Sequence, residues 1–157
     1  MPSIHLTTHI NAPIDRCFHL SLSIDLHILS TAKTSEVAIA GVTSGLIGKG
    51  ETVTWAATHF GIRQKLTVKI EEVSEPYYFS DRMIKGAFKS MYHQHHFKEA
   101  DGGTLMTDEF NFESPFGPVG KLFNKLVLTK YLTGFLIERN NMIRQVAEGE
   151  EWKSLLK

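Results

Sequence analysis

Residues 86–97 read Gly86-Ala87-Phe88-Lys89-Ser90-Met91-Tyr92-His93-Gln94-His95-His96-Phe97, and the period of this stretch decides the fold. Side chains in a strand alternate between faces, so Met91, His93, His95 and Phe97 point one way and Tyr92, Gln94, His96 and Lys98 the other. The first face is apolar at both ends and titratable in the middle. Such a face suits the wall of a cavity better than a dry core. The same period runs outward from Glu36 to Glu113, broken by Gly41, the Gly45 to Gly50 stretch, Gly61, Glu75-Pro76, Gly86 and Asp101-Gly102-Gly103. That predicts about six antiparallel strands with short connections.

Upstream, Ser3 to Ile10 has the β-branched alternation of a further strand, and Asn11-Ala12-Pro13 offers an N-cap and then a proline suited to a first helical turn. Ile14, Cys17 and Phe18 fall at helical spacing, and Ile24 to Leu29 read as a second short helix, the two meeting around Ser21 to Ser23. Downstream of Ser114-Pro115-Phe116-Gly117-Pro118 the period becomes helical. Val119, Leu122, Phe123, Leu126, Val127, Tyr131 and Phe135 form a row that continues to Met142, Ile143 and Val146, which predicts one long C-terminal helix. Gly149 to Lys157 read as a frayed end.

The chain has 157 residues, enough for one domain with a real core, and its 17 Lys plus Arg balance 17 Asp plus Glu. No overall basic field exists to hold nucleic acid or an anionic membrane surface, which leaves only a local patch for such a role. Cys17 is the single cysteine, which excludes an intramolecular disulfide, a thiolate zinc site and a CxxC redox pair. The N-terminal residues lack a charged leader followed by an apolar segment, and no stretch approaches the roughly 20 apolar residues of a membrane span. The expectation is a soluble, cytoplasmic protein.

A strand, two short helices, a six-strand meander and a long final helix is the element order of the α+β helix-grip fold. In it a curved antiparallel sheet, here of about seven strands, wraps around the C-terminal helix. The chain resembles the START-like and birch-pollen-allergen-like superfamily, SRPBCC, over nearly its whole length, and within it the bacterial ligand-binding branch, some of whose members carry a cell-division-inhibitor label. The matching residues are Trp55, His59-Phe60-Gly61-Ile62, Phe79-Ser80-Asp81-Arg82-Met83, Gly86-Ala87-Phe88, His93-Gln94-His95-His96-Phe97, Thr104 to Asp108 and Pro115-Phe116-Gly117. The resemblance implies residues 1–157 as one ligand-binding domain with a hydrophobic cavity between sheet and helix. It names no ligand, because the superfamily includes lipid, sterol, hormone and polyketide binders, cyclases and chaperone partners.

Face assignment yields the candidate site. Ile62, Gln64, Leu66, Val68 and Ile70 alternate with Arg63, Lys65, Thr67, Lys69 and Glu71, so the sheet has one wet face and Gln64 is the polar member of the other. Met106, Asp108, Phe110 and Phe112 share a face, which puts a carboxylate on the apolar side. Tyr77, Phe79, Asp81 and Met83 share another, and Val53, Trp55, Ala57 and His59 a third. The C-terminal helix adds Phe123, Leu126 and Val127. The predicted ligand-binding set is therefore Trp55, His59, Gln64, Asp81, Met83, His93, His95, Asp108, Phe110, Phe123, Leu126 and Val127.

The His and Asp cluster reads either as the anchor for a polar ligand head group or as side chains that satisfy each other within the sheet. Two His with one or two carboxylates suit zinc or iron chemically, but no motif fixes a further ligand, so neither a metal nor a cofactor is assigned. There is no Gly-x-Ser-x-Gly elbow, and Cys17 reads as a small buried hydrophobe. No catalytic residue is assigned; a cyclase or dehydratase using an Asp and His pair is the enzymatic alternative. Gly45, Gly48 and Gly50 lack the ending of a phosphate loop and read as a flexible loop at the cavity mouth. His5, His9, His27 and His96 read as solvated. Leu128, Leu132 and Leu136 widen the helical stripe, which fits a deeply gripped helix or a homodimer contact. The expected partner is a small hydrophobic molecule, with no nucleic acid and no integral membrane segment.

Overall fold

The computed structural model describes residues 2–115 and 117–157, the side chains of residues 124 and 125 excepted. Phe116 lies outside the described residues. Strand β1 (Ser3–Ile10) leads into α1 (Ile14–Ser21), α2 (Ile24–Ser30) and a 3-10 turn (Ala32–Thr34). Six strands follow: β2 (Val37–Gly41), β3 (Thr52–His59), β4 (Ile62–Ser74), β5 (Tyr78–Lys85), β6 (Ser90–Ala100) and β7 (Gly103–Glu113). The helical part is α3 (Gly117–Phe123), a π-helical segment (Asn124–Leu128), α4 (Thr129–Glu148) and α5 (Trp152–Leu155).

The strands form one seven-stranded antiparallel sheet in the order β1-β7-β6-β5-β4-β3-β2. Hairpin connections of two to four residues make each of β3 to β6 pair with the next strand, and β1 closes on β7. α4 packs against β1, α1 and α2, which is the helix-grip arrangement. Leu136, Ile143, Val146 and Ala147 of α4 are buried against this floor. Phe18 of α1 meets Phe79 and Phe97 edge-on, with ring centroids 5.7 and 5.4 Å away, so α1 is fastened by aromatic packing as well as area. No helix among the described residues is long and apolar enough to cross a membrane.

Four local expectations change. The N-cap of α1 is Pro13 and not Asn11, whose backbone N–H instead donates to Glu148 at 2.8 Å. The Gly45 to Gly50 stretch is tied down: Gly45 N–H donates to Asp25, and the α1–α2 junction bonds to Gly45 and Ile47. The C-terminal row is not one continuous α-helix. A π-helical turn adds a residue to the repeat and rotates everything N-terminal to it relative to α4. The end of the chain is not frayed, because α5 sets Trp152 under Arg16, 3.8 Å from the guanidinium carbon to the ring centroid.

Candidate functional site

The inner face of β3–β7 and the facing helices enclose a cavity of about 350 Å³. Its apolar wall comes from strand positions two apart: Val53, Trp55 and Ala57 on β3, Val68 and Ile70 on β4, Phe79 on β5, Met91 on β6 and Phe110 on β7. Leu22 and Ile24 close it from the helix junction, and Leu128, Leu132, Phe135 and Leu136 from the final helix. The antiparallel register puts Asp81 opposite His93, and His95 opposite Asp108. The two imidazoles stack with centroids 3.7 Å apart, and His95 lies flat on Phe79 at 3.9 Å.

Each histidine is paired with a carboxylate. His93 Nε2 lies 2.8 Å from Asp108 Oδ1, and His95 Nε2 lies 2.9 Å from Asp81 Oδ2. His95 Nδ1 is 3.4 Å from Asp108 Oδ1, outside hydrogen-bond geometry. Asp108 is further held from α4: Asn140 donates to its Oδ2 at 2.7 Å, and the Arg139 guanidinium stands 3.6 Å from its Oδ1.

These contacts set the protonation states. Burial pushes the Asp108 carboxyl up, but His93, His95 and Arg139 outweigh it and hold it well below the usual carboxylate range. Asp81 is likewise lowered, burial being overcome by the His95 hydrogen bond and by the neighbouring His93, His95 and Arg139. Burial, helped by the adjacent His95, pushes His93 down to about 4 against the pull of Asp108 and Asp81. His93 is thus neutral at neutral pH.

A second polar zone lies along the same cavity. His59 Nδ1 is 2.7 Å from the Tyr131 hydroxyl, and burial lowers the His59 pKa, so this pair is also uncharged. Gln64 donates to the His59 carbonyl at 3.3 Å. His27 bonds to the buried Glu36 and stacks over Trp55 at 4.2 Å. His27 therefore lines the cavity and is not a solvated side chain; the fold of α2 against β3 brings it there. His9 donates to the Ala100 carbonyl at 3.0 Å, while His5 and His96 both stand beside Glu109 at the surface. Cys17 is buried and its thiol pKa is raised by that burial.

Of the predicted set, Trp55, His59, Gln64, Asp81, His93, His95, Phe110 and Phe123 line the cavity. Asp108 does not: it is fully buried behind His93, on the α4 side. Met83 does not either. It stands opposite Val68 of β4, and its sulfur packs near Gly86, as does Leu66. Leu126 and Val127 are 64% and 41% exposed, because the π-helical turn hands the inward position to Leu128. His27, Glu36, the Tyr131 hydroxyl, Arg139 and Asn140 also belong to the site and do not follow from the strand-face assignment. Arg139 and Asn140 carry a readable signal: they sit three and four residues after Leu136 and before Ile143 and Val146, which makes them polar members of an apolar row.

Asp81, His93 and His95 present ligand atoms within 4.8 Å of one another, a span that a single metal ion could bridge. At present those groups are engaged with one another and with Asp108, and Arg139 adds a positive charge beside them. Chemically the arrangement offers a neutral imidazole and a carboxylate at one place in a largely apolar space, with the His59–Tyr131 and His27–Glu36 pairs at another.

No family model and no curated protein matches the chain. Solved structures do. The chain is similar to TTHA0849 from Thermus thermophilus, at 17% identity and a TM-score of 0.72, over 93% of this chain and 99% of that one. It is similar to major latex-like protein 151 from Panax ginseng, at 18% identity and a TM-score of 0.70, over 94% and 98% of the two chains. Ara h 8.0201 matches at 15% identity and a TM-score of 0.61, over 90% and 97%. The chain therefore has the helix-grip fold of the SRPBCC, Bet v 1-like proteins.

Proposed function

We propose that residues 1–157 act in the cytoplasm as one domain that binds a small, mostly apolar molecule whose polar end is an uncharged hydrogen-bonding group. The apolar body lies between the sheet and α4, and the polar end meets His93, His95 and Asp81. The observation that carries this reading is the pairing of an apolar cavity with a neutral His93 beside an ionised Asp81. A ligand carboxylate would meet the ionised Asp81, whereas an alcohol can donate to Asp81 or to the Nδ1 lone pair that His93 keeps once its Nε2–H is given to Asp108. The lone buried thiol suits a reducing compartment.

Titration of the purified protein with 1-decanol and decanoate tests this. Trp55 lines the cavity and serves as the fluorescence reporter in a Trp152→Phe background. Decanol is expected to bind at least about tenfold more tightly than decanoate, a difference of about 1.4 kcal/mol. Equal affinity, or tighter decanoate, would contradict the assignment of the polar end.

An enzymatic reading has one specific support. A neutral imidazole oriented by a buried carboxylate is the arrangement of a general base, as a cyclase or dehydratase of polyketide type requires. His93→Gln separates the two: ligand binding kept with turnover lost favours catalysis, and binding weakened with no turnover in the parent favours a carrier.

A further inference from the structure

The apolar row that opens the final helical part faces water. Val119 is 73% exposed, Leu122 59% and Leu126 64%, at helical spacing on one stripe. Opposite stand Phe60 of the β3–β4 turn and Ile62 at the start of β4, 52% and 63% exposed, joined to the helix by the Phe60–Phe123 ring contact at 5.9 Å. Strand direction alternates through the sheet, so the β3–β4 turn, the β5–β6 connection and the β7–α3 connection all fall at one end. Exposed Phe60, Lys65, Ala87 and Phe123 at this end also line the cavity, so the cavity opens here. A contiguous apolar patch at a cavity opening is an interaction surface and not the scatter normal for a soluble chain.

The same end is basic. Arg63, Lys65, Lys85, Lys121 and Lys130 are exposed there. Residues 59–70, 82–98 and 114–137 contain no Asp or Glu, although the chain as a whole is neutral. The flanking carboxylates Glu113 and Glu138 are paired with Lys89 and Lys33. An apolar centre with a rim of one positive sign fits the headgroup boundary of an anionic bilayer. A second copy fits poorly, because a twofold contact through this patch sets the same basic rim against itself. Nucleic acid fits poorly too, since the basic groups lie at the rim and the centre is apolar, with no positive charge there for a phosphate backbone to follow.

We propose that this end of the protein docks on anionic lipid bilayers, with the cavity opening turned toward the membrane. As a route for loading the cavity, this rests on the ligand-binding reading above; as a docking surface, it stands on the patch and its charge alone.

Flotation with vesicles tests it. Wild-type protein is expected to float with phosphatidylcholine vesicles containing about 30% phosphatidylglycerol, to bind pure phosphatidylcholine at least about tenfold less, and to be released by about 0.5 M salt. Leu122→Glu with Leu126→Glu, and separately Lys121→Glu with Lys130→Glu, are expected to lower binding by about tenfold or more. Tyr77→Glu, exposed at the opposite end of the sheet, should leave it unchanged. Each variant should keep wild-type affinity for 1-decanol, which separates docking from the cavity reading. Vesicle binding without any decanol binding supports docking and removes the ligand reading. Wild-type protein that binds decanol but ignores anionic vesicles overturns docking. So does a wild-type dimer dissolved by the Leu122→Glu, Leu126→Glu pair without vesicle binding, or capture by polyglutamate but not by vesicles.

Discussion

Asp108 sits 2.8 Å behind His93 and none of its surface reaches solvent, so it holds the imidazole that faces the cavity and does not itself face a ligand. Four groups converge on this one carboxylate: His93, His95, Asn140 and Arg139. Asp108→Asn removes the charge that balances Arg139 in a buried setting. The variant is expected to lose about 3 kcal/mol of stability, as breaking a buried pair does, read as a lower urea midpoint at unchanged m-value.

The pH dependence of stability follows from the same cluster. His93 titrates at about 4 in the fold against 6.5 for a free histidine, so over that interval the unfolded chain binds the extra proton. Stability is complete above the unfolded value and falls as pH drops toward the folded one, by about 3 kcal/mol from His93 alone. Asp81 and Asp108, both lowered, extend the loss in the same direction at more acidic pH. Urea unfolding from about pH 7 to about pH 4.5 should show this slope, and His93→Gln should flatten it.

Most of the architecture was legible because it rests on period. Alternation over 36–113 marks the strands whatever their partners, and His93 and His95 were visible as titratable members of an apolar face. What stayed hidden depends on contacts between distant segments. Glu36 and His27 enter the cavity only because α2 packs across β3, and Leu126 and Val127 turn outward only because a π-helical turn breaks the phase of their row. Asp108 was placed on the correct face, but face alone does not reveal that His93 stands between it and the cavity.

Filling the cavity should remove binding without unfolding the protein. Ala57 is buried on β3 with its side chain on the cavity wall. Ala57→Phe is expected to weaken 1-decanol binding by about tenfold or more while the thermal midpoint stays within a few degrees of wild type, read by calorimetry.

The C-terminal segment contributes to stability. Trp152 lies against the Arg16 guanidinium, which also donates to the Ala147 carbonyl at 2.9 Å. Trp152→Ala should cost about 1–2 kcal/mol in a urea titration, and a frayed end would show no change.

In the function proposed above, His93 and His95 receive the polar end of a small apolar ligand. The direct measurement is the imidazole spectrum of the two histidines by NMR during titration with 1-decanol, in wild-type protein and in Ala57→Phe. Saturable shifts of both rings are expected in the wild type, with the same dissociation constant as Trp55 fluorescence, and no shifts in the filled variant. Histidine resonances that stay fixed while Trp55 reports binding would place the polar end elsewhere and contradict that assignment.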